Sequence, residues 1–262
     1  FIDFMIDHQL MDLENKPGKA STGYMTSLPS LKAPFVFSCF NHTIFDMQVL
    51  THELGHAFAG YMAMRSQPIS DYYSETTDIA EIHSMSMEQF AYPYAQWFFG
   101  DQADKFRFAH LQEALTFVPF GVAVDEFQHI CYADPQLTPK ERTYQWRLLE
   151  EKYMPWRKYD NDAFMERGGY WYHKLHIYLY PFYYINYTLT TMGAMEFKKK
   201  YAEDKAAAWQ DYLKLCKTGG SRSYLETLRY ANLANPFEAG SVARACGYAE
   251  NILLRQLAEQ EK

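Results

Sequence analysis

The 262-residue sequence has few cysteines, no long apolar run and no excess of basic residues. Its four cysteines lie far apart, which excludes a CxxC metal or redox motif and a disulfide-rich scaffold, so we expect reduced thiols. No apolar run approaches the roughly 18 residues that span a membrane. The formal net charge of −7 argues against nucleic acid as a partner. We therefore expect neither a membrane nor a nucleic acid among the partners.

The chain also lacks an initiator methionine and a signal-peptide pattern. It starts at Phe1, and its first twelve residues already have the character of structured chain. We therefore expect a piece of a longer protein. With no export signal in view, we expect a cytoplasmic location. Apolar residues make up 48% and charged residues 22%, which excludes a disordered chain.

Hydrophobic periodicity predicts a mainly α-helical chain with one or a few short strands. Residues 15–34 are rich in Gly, Pro, Ser and Thr and indicate loop, whereas the alternating FVFSCF at 35–40 indicates a strand. Pro119 is a candidate helix break, and no interior linker is visible, so we predict a single domain over residues 1–262. The predicted helices cover about 44–64, 75–99, 105–132, 138–153, a segment ending near 201, 205–216, 222–231 and 238–259.

Residues 52–56 read HELGH, and on a helix the two histidines of this motif lie one turn apart on the same face. His52 and His56 can therefore bind one metal ion. Glu53 lies beside them on the helix, where it can take a proton from a metal-bound water. Zinc suits two histidine nitrogens and one carboxylate, with a fourth position for water.

The motif needs a third ligand. A glycine and a third histidine shortly downstream are absent, because Ala59 and Met62 occupy those positions. A carboxylate from the following helix is the other solution, and Glu81 lies 25 residues after His56, which allows the chain to turn and come back. Helix phase separates the candidates only partly. On spacing alone the candidates are Glu75, Asp78, Glu81 and Glu88, of which one could be the ligand and another could hold a ligand ring.

Five stretches together resemble a known family. They are PGKASTGY at 17–24, FVFSCFN at 35–41, HELGH at 52–56, SETTDIAEIHSMSME at 74–88, and PFYYINY at 181–187 preceded by His176. Over essentially its whole length the chain is similar to M3-family zinc metallopeptidases of the oligoendopeptidase F branch, relatives of thimet oligopeptidase. The resemblance implies a mainly helical, zincin-like catalytic domain. It also implies that an N-terminal helical portion, absent from this chain, completes the substrate channel.

The resemblance implies that His52, His56 and Glu81 bind one zinc ion per chain and that Glu53 is the general base. Beside these residues, the acids at positions 78 and 88, Asp78 and Glu88, are expected to hold the ligand rings by their second nitrogens.

The resemblance also implies a substrate-binding segment that begins at His176. His176 and Tyr183 are expected to donate hydrogen bonds to the oxyanion of the tetrahedral intermediate. Tyr187 and then Tyr180 are the next candidates for contact with the substrate. The strand at 35–40, which contains Phe37 and Cys39, is expected to bind an extended peptide as an added strand.

The expected function is a zinc-dependent endopeptidase that hydrolyses internal bonds of short peptides. One alternative is a dipeptidyl-carboxypeptidase-like activity on the same fold, which needs a basic residue for a free carboxylate that the sequence does not identify. The other alternative is a peptide-binding fragment that is inactive without the N-terminal portion.

Overall fold

We describe the protein from a computed structural model, which covers residues 1–20 and 22–260. Ser21, which belongs to the stretch at 17–24, and the last two residues of the predicted domain lie outside the described residues. The described chain is mainly α-helical with one three-stranded sheet, which confirms the predicted fold class. The strands are β1 (Met11–Asp12), β2 (Tyr24–Leu28) and β3 (Ala33–Phe37). The helices are α1 (Ile2–Asp7), α2 (Ile44–Ser66), α3 (Thr77–Ala91), α4 (Ala95–Phe99), α5 (Ala103–Ala133), α6 (Pro139–Tyr153), α7 (Leu175–Leu179), α8 (Ile185–Glu203), α9 (Lys205–Thr218), α10 (Tyr224–Tyr230) and α11 (Ser241–Gln260).

The sheet has the order β1-β3-β2, so β3 is its central strand. β1 runs parallel to β3, and β2 runs antiparallel to it with Tyr24 opposite Phe37 and Leu28 opposite Ala33. The sequence assigned β2 to a loop, and this assignment is wrong. The alternating residues of β2 are enclosed by a Gly- and Pro-rich segment before them and a 3₁₀ turn at Pro29–Leu31 after them, and this composition hid the strand.

The helix that carries HELGH begins where its sequence predicts. Thr43 and Asp46 form a capping box at the start of α2, in which the Asp46 carboxylate accepts a hydrogen bond from the Thr43 N–H at 3.1 Å. Glu53 and Gly55 are buried along α2, as are most of the apolar residues that follow them. Phe58 packs in a core formed with side chains of α3, α8, α9 and α10. This buried surface fixes the helix that presents the histidines.

Two prolines act differently from expectation. Pro119 lies inside the continuous helix α5, because one proline removes one hydrogen bond and bends a long helix rather than ending it. The predicted helix at 75–99 instead stops at Ala91, and Pro93 lies near the start of a 3₁₀ segment at Tyr92–Tyr94. Proline is tolerated at the start of a helical segment because its missing N–H is unpaired there in any case.

By compactness the chain divides into two units. One comprises Phe1–Leu111 with Thr190–Lys262, and the other comprises Gln112–Leu189. The second unit has its own core, in which Phe127, Trp146 and Trp171 pack together. A compact unit need not fold independently, so the single domain over residues 1–262 stays a prediction. Among the described helices, none has the length and apolar character needed to cross a membrane, and all four cysteines are free.

Candidate metal centre

Helices α2 and α3 bring three potential metal ligands together. Glu81 Oε2 on α3 lies 3.1 Å from His52 Nε2 and 3.4 Å from His56 Nε2 on α2. These three donor atoms all lie within 4.8 Å of one another. The earlier histidine, His52, contacts the later acid Glu88, whereas the later histidine, His56, contacts the earlier acid Glu81. The two helices therefore run in opposite directions.

The spacing of these atoms fits a tetrahedral ion. Zinc bonds to histidine nitrogen and carboxylate oxygen measure about 2.0–2.2 Å, so neighbouring ligands of a tetrahedral zinc lie about 3.3 Å apart. The observed separations from Glu81 Oε2, 3.1 and 3.4 Å, bracket this value. The donor set of two imidazoles and one carboxylate is also one that zinc favours. That these residues are the ligands stays a prediction.

The four acids that spacing left open differ in whether they contact the histidines of the motif. Glu75 lies 3.0 Å from the ring of His83, and Asp78 accepts a hydrogen bond from Thr76 at the start of α3. The structure therefore does not place Asp78 against a ligand ring, and its predicted role is corrected. Glu81 and Glu88 are the two acids that contact the histidines of the motif, with Glu88 Oε1 2.6 Å from His52 Nδ1.

The electrostatics of His52 and Glu81 favour a bound cation. Burial alone would lower the pKa of His52, but hydrogen bonds to Glu81 and Glu88 outweigh it and raise the pKa to about 10. Burial likewise opposes ionisation of Glu81, yet the two imidazole rings hold the pKa of its carboxyl far below the ordinary value. The carboxylates therefore draw positive charge to this point, either a proton on the ring or a metal ion in its place.

Glu53 is held between α2 and β2. Its side chain is buried, and its carboxylate accepts a hydrogen bond from the Met25 N–H. Burial raises the pKa of the carboxyl, although the rings of His52 and His56 act in the opposite direction. Gly23 lets the strand approach, because a Cβ at this residue would lie 2.6 Å from Val49 Cγ1 and 3.4 Å from Glu53 Oε1.

The predicted His/Tyr segment forms a cluster within residues 112–189. The ring of Tyr183 stacks on that of His176 with 6.1 Å between centroids, and Tyr187 and Tyr180 lie 5.5 and 6.1 Å from Tyr183. Tyr180 is mostly exposed, whereas Tyr184 belongs to the core. The fold therefore gathers the predicted residues of this segment, and their roles stay predictions.

Gln128, for which the sequence predicted no role, holds the turn before Tyr183. Phe182 has a positive φ of 61°, which is uncommon for a bulky residue. Its N–H donates to Oε1 of the buried Gln128 on α5 at 2.8 Å. The segment DEFQH at 125–129 thus anchors the His/Tyr turn from a distant part of the sequence.

The strand expected to receive a peptide has no free edge at Phe37. Phe37 is paired with Tyr24 on one side and with Asp12 on the other, so this expectation is corrected. Cys39 lies beyond the strand, where its thiol donates to Asn15 Oδ1 at 3.0 Å. β1 and β2 are the two edge strands of the described sheet, and the Met25 N–H of β2 points to Glu53.

Fold and donor set together are those of a helical metallopeptidase with an HExxH helix and a carboxylate from the next helix. Residues 3–246 match peptidase family M3, and the chain belongs to that family. The resemblance inferred from the motifs is thereby confirmed.

Individual relatives agree with this assignment. The oligoendopeptidase F homolog of Borreliella burgdorferi is 24% identical over 234 residues, which are 86% of this chain and 38% of that protein. The solved structure of PZ peptidase A with an inhibitor gives a TM-score of 0.87 at 49% identity and covers 97% of this chain and 45% of that one. A Bacillus anthracis structure described as an oligoendopeptidase F gives 0.81 at 43% identity, covering 97% and 42%. The chain spans less than half the length of these relatives.

Proposed function

We propose that this chain carries the catalytic site of a zinc-dependent endopeptidase that hydrolyses internal bonds of short oligopeptides. The observation that supports it is the convergence of the nitrogens of His52 and His56 with the carboxylate of Glu81. In the proposal these three residues hold one zinc ion per chain. When bound, zinc supplies a Lewis acid that activates water and polarises the scissile carbonyl.

Glu53 is the general base in this proposal. It takes a proton from the attacking water and delivers it to the leaving amine. Two features support the role. Burial raises the pKa of the carboxyl, which improves its affinity for the proton that it must carry, and the Met25 N–H restricts its orientation.

The substrate is proposed to meet two groups of residues. The peptide backbone is proposed to lie along β2, an edge strand of the sheet on the side of Glu53. His176 and Tyr183 donate hydrogen bonds to the oxyanion of the tetrahedral intermediate, as the family resemblance implies. The stacked arrangement of these two rings supports a joint role. Four free thiols support the proposed cytoplasmic location.

The test combines metal analysis with product analysis of the same preparation. We expect about one zinc per chain, and mass spectrometry of peptides of defined length should show internal cleavage. Stepwise loss of C-terminal dipeptides would support a dipeptidyl carboxypeptidase instead. Peptide binding without cleavage by the zinc-loaded chain would indicate a binding fragment. Protein purified without chelator and free of metal would contradict the ligand assignment.

A further inference from the structure

A buried hydrogen-bond chain leads away from the candidate metal centre through Glu88. One carboxylate oxygen of Glu88 lies 2.6 Å from His52 Nδ1, and the other lies 2.6 Å from His110 Nε2 on α5. The second ring nitrogen of His110, Nδ1, lies 2.7 Å from the hydroxyl of Tyr92. Glu88, His110 and Tyr92 are each no more than 8% exposed. The sequence did not single out His110 or Tyr92.

The hydrogen-bond chain has one consistent assignment of donors and acceptors. A carboxylate only accepts, so the two nitrogens that face Glu88 both carry hydrogen. In a neutral His110 ring, Nδ1 is then the acceptor for the Tyr92 hydroxyl. At the other end, Glu81 likewise only accepts, so His52 Nε2 donates to it. Because Glu88 holds the hydrogen on Nδ1, Nε2 is the nitrogen that a metal ion takes when it displaces that proton.

His110 and Tyr92, the outer members of the hydrogen-bond chain, are themselves held by neighbouring residues. The ring of Phe106, one turn earlier on α5, stacks on His110 with 5.4 Å between centroids and 12° between planes. The carbonyl of Tyr92 accepts a hydrogen bond from Arg107 Nε at 3.1 Å. His110 therefore presents its donor to Glu88 from a held position.

We propose that His110 and Tyr92 are positioning residues that act through Glu88 to hold His52 ready for metal binding. The inference rests on the proposed metal site. His110 engages the second oxygen of Glu88 and so restrains rotation of the carboxylate, which in turn holds the tautomer and the plane of the His52 ring. His110 and Tyr92 therefore contribute to the affinity of the site for the metal ion.

The test compares two substitutions at one position. His110→Phe keeps a ring against Phe106 but removes the donor, and we expect the zinc dissociation constant to rise about tenfold in a chelator competition. His110→Gln restores an N–H donor near the place of Nε2 and should recover most of that loss. His129→Phe is the matched control, because this exposed histidine pairs with Asp125 at 3.3 Å. It should leave zinc affinity unchanged.

The thermal unfolding of each variant without metal separates positioning from stability. A lower unfolding temperature of His110→Phe with an unchanged zinc dissociation constant would show a merely structural role and overturn the inference. If His110→Phe does not fold, Tyr92→Phe removes a single oxygen and should weaken zinc binding a few-fold. Unchanged affinity in that variant would overturn the inference. A wild-type chain that binds no zinc would contradict the proposed function itself, which keeps the two failures apart.

Discussion

The backbone of Gly55 approaches that of Ser84 so closely that a Cβ atom at residue 55 would lie 2.6 Å from Ser84 Cα. The same atom would lie 2.9 Å from the carbonyl oxygen of His83. Because both neighbours are backbone atoms, no side-chain rotation can relieve the contact. The missing side chain therefore sets the distance between α2 and α3, across which Glu81 reaches the histidines.

We expect Gly55→Ala to force the two helices apart. The overpacking should lower the free energy of unfolding by about 1–3 kcal/mol and weaken zinc binding. Gly247→Ala is the matched control, because this residue also lies in a helix but its Cβ would meet no atom within 4 Å. The control should gain about 0.5–1 kcal/mol and bind zinc as the wild type does. Thermal unfolding and chelator competition measure both quantities, and a similar effect of the two substitutions would contradict the role of Gly55.

Glu53→Gln separates metal binding from proton transfer. The amide keeps the shape of the side chain but cannot accept a proton from water, so turnover should fall by about 10²–10⁴-fold while zinc content stays near one per chain. The exposed Glu113→Gln provides the control and should leave both unchanged. Peptide hydrolysis and elemental analysis make the comparison. Persistent activity of Glu53→Gln would mean that another group is the base.

Tyr183→Phe tests the proposed oxyanion donor. Loss of one hydrogen bond formed only in the transition state should lower kcat more than it changes KM. Tyr230→Phe, in an exposed residue whose ring faces Arg222, controls for loss of a hydroxyl. Steady-state kinetics on one peptide distinguish the two variants. An effect of Tyr183→Phe confined to KM would assign the residue to substrate binding alone.

Stability at low pH should depend on Asp211. This carboxylate on α9 lies 2.7 Å from each of Lys200 Nζ, Lys214 Nζ and Asn232 Nδ2. Burial alone would raise the pKa of Asp211, but these hydrogen bonds outweigh it and lower the pKa. A lowered pKa stabilises the folded state above the unfolded-state pKa, about 3.9, and this stabilisation is lost as the pH falls through the folded-state value.

Asp211→Asn should therefore destabilise the protein by about 2 kcal/mol at neutral pH. The gap to the wild type should narrow as the pH falls below about 4. Thermal unfolding at several pH values measures the gap. Asp104→Asn, which alters an ion pair of an 85% exposed carboxylate, should have little effect at any pH. A gap for Asp211→Asn that does not change with pH would contradict the assignment.

Local signals predicted much of the fold. Helices α2 and α6 begin directly after Thr43 and Thr138, and each of these threonines forms a capping box with the acid three positions later. Such a start is visible in the sequence because the residues that form it are close together. β2 was missed because its ladder partners are supplied by β3 and its own composition is ambiguous. The end of α3 near Pro93 was missed because one proline either ends a helix or is absorbed by it, depending on packing.

Local signals also predicted some residues of the candidate site and not others. His52, Glu53 and His56 follow from helical spacing, whereas spacing alone left Glu81 among four acids. His110 is one of two histidines in the long helix α5, and nothing near it in the sequence points to Glu88, which lies on another helix. Contacts between side chains that are remote in sequence depend on how the helices pack, and one sequence carries no direct signal of that packing.

The histidines, the base and the third carboxylate of the candidate site all come from residues 52–81. Helices α2 and α3 are joined by the short segment at residues 67–76. Bringing the ends of so short a segment together costs little chain entropy, and pairs of helices in local contact form quickly. The candidate metal centre is thus built from residues that are close together along the chain. The helix pair is nevertheless held in place by later parts of the chain, because Phe58 of α2 packs in a core with residues of α8, α9 and α10.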